Sequence, residues 1–459
     1  MLVCKNWPPR QKLSKFDFSL PSVKTHLNVG WFLKWGRGLP NQMLSVVATG
    51  LLHGFPTFYR GGGIYFRDYS SSLSPEDEQR AIEKAKESVE KGWAIGPFDR
   101  VPFPNNSSSQ QAIVTKLFTI PKHKWANDGK RRLIFHKSFP RGESINAVTP
   151  RHDAASFFPK GTFFYLTLEK ILSIITKAGR GCLIITFDAK DAYKQLAVRI
   201  EDLYQQVFKA GGKFYVDLCA SFGALYGNDS YSTFAYVHCF CLATATGTLG
   251  WLFNYVDNYI LVIPWTGKTT SVRAQLSLLC LRREITRSGL LTHEWVGPAH
   301  KVTFIGWEID TLEFTVSITP ERKVFMFNHL QTWVSKSSAS VSELSSLIGL
   351  LIFLSQIIGG IKATIGILIL ERTALLRRAA TSFAVSPRIR AAVAHIAFVL
   401  EKWHGKAIIF DRCWHESKAD LTIYCDIAKD KDPQPNSFGK GAFSIPKFQW
   451  FSEKWTAQE

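Results

Sequence analysis

Residues 182–198 read CLIITFDAKDAYKQLAV, and residues 252–258 read LFNYVDN. In each stretch an apolar run ends at an aspartate, Asp188 in the first and Asp257 in the second. A short continuous apolar run bounded by polar residues is typical of a buried strand. Both stretches therefore predict a buried strand that carries a carboxylate at its end.

Carboxylates that meet in space are what a phosphoryl-transfer site with two metal ions requires. Mg²⁺ prefers oxygen ligands, and a pair of such ions activates a hydroxyl and neutralises charge on a leaving pyrophosphate. Spacing along the chain does not by itself bring Asp188 and Asp257 together. A strand-end aspartate is also a common turn former or helix cap, so both interpretations stay open on these residues alone.

The charge of the chain favours a polyanionic partner. The 459 residues include 56 Lys and Arg against 37 Asp and Glu, for a net charge of +19 and a pI near 9.5. Neutralised phosphates release counterions, which drives binding to nucleic acid. The cations are spread along the chain, as expected for a long nucleic-acid track. A basic soluble protein without this role is the alternative that charge leaves open.

Cysteine spacing and apolar runs bear on metal and membrane functions. Cys239 and Cys241 stand near His238, but no four-ligand zinc set follows, so we expect buried free thiols in a reducing, intracellular compartment. The N-terminus lacks the apolar core of a signal peptide. Residues 347–370 are long enough to span a bilayer, but Gly359-Gly360 interrupts them, which predicts two packed helices and no membrane span.

Local patterns predict several further elements. Ser74 caps a helix that Gly92 ends, and residues 113–121 and 132–136 predict a hairpin around an Asn-Asp-Gly turn. Strand and helix patterns alternate over residues 160–315, and residues 318–404 predict helices. A mixed α+β chain follows from these patterns.

The two aspartate stretches also resemble known motifs. Residues 187–198 resemble the first catalytic motif of retroelement reverse transcriptases, and residues 253–258 resemble their tyrosine–x–aspartate–aspartate box. Other segments match in the family's order, at residues 90–98, 129–134, 140–146, 216–223 and 304–311. The resemblance covers residues 75–445 and is nearest to the tyrosine-recombinase retrotransposons of the DIRS and Ngaro type. It implies a right-hand polymerase fold of fingers, palm and thumb, with a partial ribonuclease H-like α/β segment at the C-terminus.

The resemblance also implies a domain order. The expected regions are an N-terminal extension with the capped helix at 1–110, fingers and palm at 111–317, a helical thumb-like or connection region at 318–404, and a truncated ribonuclease H-like segment at 405–459. The thumb would turn Lys323, Arg377 and Arg378 toward phosphates. In the last segment, residues 421–425 would form a strand ending at Asp426, the first ribonuclease H carboxylate. We expect no nuclease activity because the later acids of that site are missing from this sequence.

Catalytic roles follow from the same resemblance. Asp188 and Asp257 would bind two Mg²⁺ ions, or Mn²⁺ as the alternative, with the Ala189 carbonyl as an extra ligand and Asn258 in the position of the second acid. Tyr193 would lie below the sugar and exclude a ribose 2′-hydroxyl. Gly223 would allow close approach of the template base pair. The triphosphate would be held by Lys122, by Arg132 or in a shifted register Arg131, and by the backbone of Asp191 and Ala192.

Three positions depart from the family pattern. Asn258 keeps an oxygen ligand but lacks the charge of the usual acid. Residues 226–229 replace the usual Ser/Ala-Pro turn, and Glu294 stands where a lysine general acid is expected, with His293 or Lys301 as substitutes. These changes predict reduced catalytic competence.

Three functions are therefore weighed. The leading hypothesis is an RNA- and DNA-directed DNA polymerase that uses deoxynucleoside triphosphates on a primer–template of RNA or DNA, together with other segments of a retroelement polyprotein. The second is a degenerate relic that binds nucleic acid without polymerising. The third is a structural protein that uses residues 347–370 for assembly or membrane contact. Convergence of Asp188 and Asp257 with Lys122 and Arg132 in one cleft would favour the first.

Overall fold

The computed structural model describes residues 25–59, 67–68, 73–103, 112–121, 131–149, 165–409, 424–428, 437–444 and 450–456. The contacts divide the chain into two units, Met1–Ile409 and Phe410–Glu459. The domain boundaries expected from the sequence stay predictions.

The helices among the described residues lie in the first unit, and many begin at a side-chain cap. Ser74 accepts a hydrogen bond from the Asp77 amide, and Ser340 forms a reciprocal capping box with Glu343. The α-helices are α1 Val29–Trp35, α2 Asn41–His53, α3 Pro75–Glu90, α4 Ile145–Val148, α5 Leu168–Ala178, α6 Leu225–Thr246, α7 Thr270–Ser288, α8 Pro320–Ser335, α9 Val341–Leu354, α10 Lys362–Arg377 and α11 Pro387–Lys402.

The strands form several separate sheets. They are β1 Arg67–Asp68, β2 Ala94–Phe98, β3 Ile113–Thr115, β4 Leu117–Pro121, β5 Arg131–Phe135, β6 Leu183–Ala189, β7 Val207–Ala210, β8 Lys213–Asp217, β9 Leu252–Tyr255, β10 Asn258–Ile263, β11 Thr292–Ala299, β12 Lys301–Phe304, β13 Trp307–Asp310, β14 Thr315–Ile318, β15 Ser338–Ser340, β16 Ser382–Ala384, β17 Lys406–Ile408, β18 Tyr424–Ala428, β19 Ser437–Ser444 and β20 Trp450–Thr456.

The sheet that carries the aspartates has the order β11-β6-β10-β9. β6 is almost fully buried, as its apolar run predicts, and its neighbour β10 is buried as well. The prediction that β9 is also a buried strand is wrong, because only Leu252 is buried and the strand ends at the exposed Tyr255. The Phe187 ring lies between two other rings, with centroids 4.7 Å from Tyr259 and 4.4 Å from Trp295. Stacking of this kind across three adjacent strands fixes their relative positions and so fixes where β6 ends.

A second sheet, in the order β1-β3-β7-β8-β2, shows that one strand prediction was wrong. Residues 113–121 form two strands, because the chain changes sheets between Thr115 and Leu117. β3 pairs in parallel with β1 and β7, whereas β4 pairs antiparallel with β5. The hairpin of β4 and β5 confirms the predicted pairing, and its Asn-Asp-Gly turn lies outside the described residues.

A buried lysine lies beside this second sheet. The Lys137 side chain donates to Thr115 Oγ1 at 3.1 Å, to the Gln205 carbonyl at 3.0 Å and to Gln206 Oε1 at 3.0 Å. Burial lowers the pKa of Lys137 to about 7, and the charge of Asp217 opposes this decrease. Lys137 therefore joins β3 to the segment that precedes β7 at the cost of removing its amine from water.

The region predicted to be a thumb contains α8 to α11, packed on the sheet β12-β13-β14-β17. At the junction, the Trp307 ring stacks on Phe353 with centroids 3.9 Å apart, and the Arg322 guanidinium lies 3.8 Å from the Phe353 ring centre. The turn Gly359–Ile361 separates α9 from α10, which confirms the predicted break. In the part of the chain that the structure describes, no helix is both long enough and apolar enough to span a bilayer.

The second unit contains an antiparallel sheet of β18, β19 and β20. Its first described strand begins at Tyr424. The predicted start at residue 421 stays a prediction, because residues 421–423 are not among the described residues. The strand extends past Asp426, whose backbone pairs with Ala442. The prediction that Asp426 follows the end of the strand was therefore wrong, because the pairing with β19 extends to Ala428.

Candidate active site

The aspartates meet because β6 and β10 are neighbours in one sheet. Asp188 is the penultimate residue of β6 and lies opposite Asn258, the first residue of β10. The Ala189 amide donates to the Asp257 carbonyl at 2.9 Å, so Asp257 lies beside the end of β6. The structure thus brings together three predicted catalytic residues and Ala189, which sequence spacing alone could not establish.

Asp257 stands at the tip of a tight hairpin between β9 and β10. Its turn consists of Val256 and Asp257, and Val256 has a φ of 55°. A β-branched residue at positive φ is uncommon and strained, and such strain tends to occur at functional sites. The hairpin pairing of Asn258 with Tyr255 holds this conformation. The strained turn therefore fixes Asp257 beside Asp188.

Several negative charges surround Asp188. Burial, together with the charges of Asp257 and Glu294, raises the pKa of Asp188 to about 6, and His293 opposes the increase. The Asn258 amide donates to Asp257 Oδ1 at 3.0 Å. An amide in this position thus lowers the negative charge of the site and occupies one carboxylate oxygen. The site consists of oxygen donors held close together, which is the donor set that Mg²⁺ or Mn²⁺ binds.

The neighbouring strand β11 adds His293, which the sequence indicated as a substitute for the expected lysine, and Glu294, which stands in that lysine's position. His293 lies opposite Asp188 in the strand register. Its Nε2 is 3.5 Å from Glu294 Oε1, and one ligand atom from each of Asp188, His293 and Glu294 lies within 4.8 Å of the others. Lys301, the other substitute, is instead paired with Glu308 at 2.8 Å.

Tyr193 occupies a packed position beside the aspartates. After Asp191, whose φ is 50°, the chain forms a 3-10 turn over Ala192–Gln195. The Tyr193 ring lies 4.0 Å from the Phe222 centroid and 5.0 Å from that of Tyr231. Burial, with a contribution from Asp257, raises the pKa of Tyr193 to about 12. The Asp191–Tyr193 segment therefore lies next to the carboxylates, as the sequence predicts.

A hydrogen-bonded chain of polar groups holds the Tyr193 hydroxyl. The Tyr193 hydroxyl donates to Asn228 Oδ1 at 3.2 Å, and Asn228 Nδ2 donates to the Tyr165 hydroxyl at 3.0 Å. The Tyr165 ring lies 5.7 Å from that of Tyr255 on the aspartate hairpin. Asn228 was noted from the sequence only as a departure from the family pattern. In the structure it connects Tyr193 to the β9–β10 hairpin.

Asn146 holds the loop at Gly223. Its Nδ2 donates to the Gly223 carbonyl at 2.7 Å, and its Oδ1 accepts from the Leu225 amide at 3.0 Å. Gly223 has a φ of 84°, so a residue with a side chain would be strained there, although its Cβ would meet the Phe135 carbonyl at an ordinary contact distance of 3.4 Å. Asn146 lies in one of the segments that match the family, but the sequence assigned it no role. No local signal could have indicated a contact with a residue 77 positions away.

Other predicted residues lie outside this cluster or outside the description. Lys122 is not among the described residues, and for Arg131 and Arg132 the structure gives the backbone positions on β5, opposite Pro121 and Ile120. Convergence of these cations with the aspartates therefore stays a prediction. Lys323 donates to the Trp403 carbonyl at 2.8 Å. Asp426 belongs to the second unit.

His238 and its neighbouring cysteines are core residues. The His238 ring nitrogens lie 3.1 Å from the Tyr259 hydroxyl and 3.0 Å from Ser288 Oγ. Burial lowers the pKa of His238 to about 3, so the ring is neutral. Cys239 and Cys241 are both buried free thiols, as expected from the sequence.

Comparison with known proteins supports the fold. The chain is similar to the foamy viral protease-reverse transcriptase dRH in complex with double-stranded DNA, with a TM-score of 0.50 and 15% identity over 96% of this chain and 70% of that one. Structures of the same viral protein with an RNA/DNA hybrid and with double-stranded DNA match with TM-scores of 0.49 and 14% identity, over 96% of this chain and 54% and 83% of theirs.

The chain spans about half the length of the hybrid-bound viral protein. No protein-family model and no curated protein matches the sequence. At this level of identity the structural likeness defines the fold, which is a mixed α+β, reverse-transcriptase-like polymerase fold.

Proposed function

We propose that this chain is an RNA- and DNA-directed DNA polymerase of a retrotransposon that adds deoxynucleotides to a primer 3′-hydroxyl. The observation that carries the proposal is the meeting of Asp188 and Asp257 beside Tyr193. A polymerase fold alone would leave the chemistry undefined, because function depends on the site. The DIRS/Ngaro affinity, the polyprotein context and the ribonuclease H-like nature of the second unit belong to the same proposal and rest on the sequence resemblance.

Asp188 and Asp257 would hold the catalytic ions, with the Ala189 carbonyl beside them. When bound, two Mg²⁺ or Mn²⁺ ions stabilise the charge of the attacking and leaving oxygens. The residues present fit such ions, because oxygen donors and negative charge lie together at the end of β6. The charge of the carboxylates would also raise the local concentration of these cations at the end of the strand.

The protein groups around the carboxylates would position the nucleotide and the template. Tyr193, fixed by Phe222 and Tyr231, would form the floor below the sugar. The Gly223 loop, held by Asn146, would contact the template base pair. Lys122 and Arg132, or Arg131 in the shifted register, would neutralise the triphosphate. The net charge of +19 would favour a long contact with the duplex.

A second function, nucleic-acid binding without polymerisation, is favoured by one specific contact. The Asn258 amide donates to the Asp257 carboxylate and so competes with a cation for one of its oxygens. If this competition is decisive, the chain is a relic that binds duplexes but cannot hold its ions.

Primer extension distinguishes the two functions. The purified chain is assayed on RNA and DNA templates with Mg²⁺ and separately with Mn²⁺, beside Asp257→Ala and Asn258→Asp. Extension that Asp257→Ala abolishes supports the polymerase. A folded, primer-binding chain that extends nothing under either ion supports the relic.

A further inference from the structure

The cluster on β11 is more than a substitute for a missing lysine. We propose that Asp188, His293 and Glu294 form a divalent-cation site with mixed nitrogen and oxygen ligands that favours Mn²⁺ over Mg²⁺. This inference deepens the proposed function by naming a ligand set for one ion of the same site. The ion preference would then depend on His293 and Glu294, which lie outside the segments that match the family's motifs.

Pairing between β11 and β6 fixes the backbone positions of the ligand residues Asp188 and His293 relative to each other. β11 lies next to β6, with Thr292 opposite Ala189 and His293 opposite Asp188. The three ligand atoms lie within 4.8 Å of one another, which is the separation that atoms bound to one ion can reach with small side-chain adjustments. Two of the three side chains are accessible, since His293 is 42% and Glu294 69% exposed, so an ion can enter from solvent.

The backbone at Glu294 supports this geometry. Glu294 has a φ of 51°, in the left-handed region that a residue with a long side chain seldom adopts. This conformation interrupts the alternation of side chains along β11, and the register shifts between His293 and Val296. The irregularity allows the consecutive residues His293 and Glu294 to contribute to one cluster, whereas successive residues of a regular strand point to opposite faces.

The two ring nitrogens of His293 differ in their surroundings. Nε2 lies 3.5 Å from Glu294 Oε1, whereas Nδ1 is buried and has no hydrogen-bond partner among the described residues. A buried polar atom without a partner is uncommon and needs an explanation, of which an ion is one. Because a neutral imidazole binds metal through one ring nitrogen, a cation at His293 would also set which nitrogen carries the proton.

The donor types decide which ion is preferred. Mg²⁺ demands near-ideal octahedral coordination by oxygen and gives up its water reluctantly, whereas imidazole suits the transition metals. Mn²⁺ accepts both carboxylate and imidazole ligands. Glu294 also supplies a negative charge at a site where Asn258 supplies none. The nitrogen ligand therefore favours Mn²⁺ over Mg²⁺, whereas the charge of Glu294 strengthens the binding of either ion.

Electron paramagnetic resonance of Mn²⁺ with the full chain, without nucleic acid or nucleotide, tests this site. We expect the chain to bind Mn²⁺, and pulsed spectra of bound Mn²⁺ to show coupling to a ¹⁴N nucleus. His293→Ala should abolish that coupling, and His293→Ala and Glu294→Gln should each weaken Mn²⁺ binding about tenfold or more. Mg²⁺ in excess should compete poorly with wild type and better with His293→Ala.

Matched controls are His395→Ala and Glu321→Gln, two exposed residues of the helical region, which should leave Mn²⁺ binding unchanged. Circular dichroism of each variant without metal confirms folding. Bound Mn²⁺ without ¹⁴N coupling, or the same affinity in wild type and both β11 variants, overturns the inference. Primer extension is measured separately, so a chain that binds Mn²⁺ through His293 but extends no primer contradicts the polymerase and leaves the ion site standing.

Discussion

Asn258 lies directly opposite Asp188 in the register of β10 and β6. Its amide donates to the Asp257 carboxylate at 3.0 Å, so it contacts one aspartate while facing the other. A carboxylate in this position could not donate that bond and would add a further negative charge. We therefore expect Asn258 to stabilise the chain without ions and to weaken ion binding.

Asn258→Asp should increase the affinity for Mg²⁺ and raise primer-extension activity several-fold, because it restores a charge beside Asp188 and Asp257. In EDTA the same change should lower the free energy of unfolding, since like charges then face one another without a cation. Metal titrations of extension and urea denaturation in EDTA measure the two effects. Asn328→Asp, on the exposed side of α8, serves as the control. Equal Mg²⁺ dependence in wild type and Asn258→Asp would contradict this account.

Asn228→Ala should weaken discrimination against ribonucleotides. Asn228 holds the Tyr193 hydroxyl and links it to Tyr165, and loss of one hydrogen bond costs about 1 kcal/mol. A less constrained Tyr193 should exclude a 2′-hydroxyl less well. Incorporation of single deoxy- and ribonucleotides, compared through kcat/KM, measures the ratio. Tyr193→Phe removes the hydroxyl that donates to Asn228, so it should lower the preference for deoxynucleotides in the same way. An unaltered ratio in both variants would show that packing against Phe222 and Tyr231 suffices.

Lys137 should make stability depend on pH. Its pKa is about 7 in the folded chain and 10.5 is its ordinary value, so above pH 7 the unfolded chain binds a proton that the folded chain has released. The free energy of unfolding should therefore rise with pH from 7 toward 10.5, and Lys137→Met should remove that rise.

Denaturant unfolding of wild type and Lys137→Met at pH 7 and pH 9 measures this difference. Lys86→Met, an exposed position on α3, is the control and should parallel wild type. If wild type and Lys137→Met keep a constant difference across this range, Lys137 is charged in the fold and its three hydrogen bonds outweigh burial.

Phe353→Ala should destabilise the first unit by about 2 kcal/mol, because Phe353 joins Trp307 and Arg322 at the base of the helical region. Thermal or urea unfolding measures the change. Ile352→Ala is a close control, since Ile352 is the preceding residue and is 49% exposed. Equal losses in Phe353→Ala and Ile352→Ala would show that the stack contributes little.

The sequence predicts β6 and β9 because each is an apolar run that ends at or next to an aspartate, whereas β11 has no such pattern. Asp188 and Asp257 drew attention as the ends of these runs, but their catalytic roles were implied only by the motif resemblance. Asp426 was placed wrongly, since its strand continues to Ala428 through pairing with β19. The change from one sheet to another at Lys116 could not be predicted either, because both halves of residues 113–121 have the same strand-forming composition.

The supporting residues of the site could not be assigned from the sequence, because their roles depend on contacts between distant segments. Asn146 reaches Gly223, and Asn228 reaches Tyr193, only after the chain has folded. His293 joins Asp188 because β11 pairs with β6 in a particular register. Lys137 is equally unpredictable, since a lysine is seldom fully buried.

The most direct test of the central claim is single-nucleotide addition to a primer–template by wild type, Asp188→Asn and Asp257→Asn, with Asp99→Asn as a control at an exposed aspartate. We predict addition by wild type and Asp99→Asn in Mg²⁺ or Mn²⁺, and a loss of about a hundredfold or more in each catalytic-site variant. Primer–template binding should be retained in all four proteins. Addition that survives in Asp188→Asn and Asp257→Asn, or no addition by a folded wild-type chain that binds the duplex, would contradict the polymerase assignment.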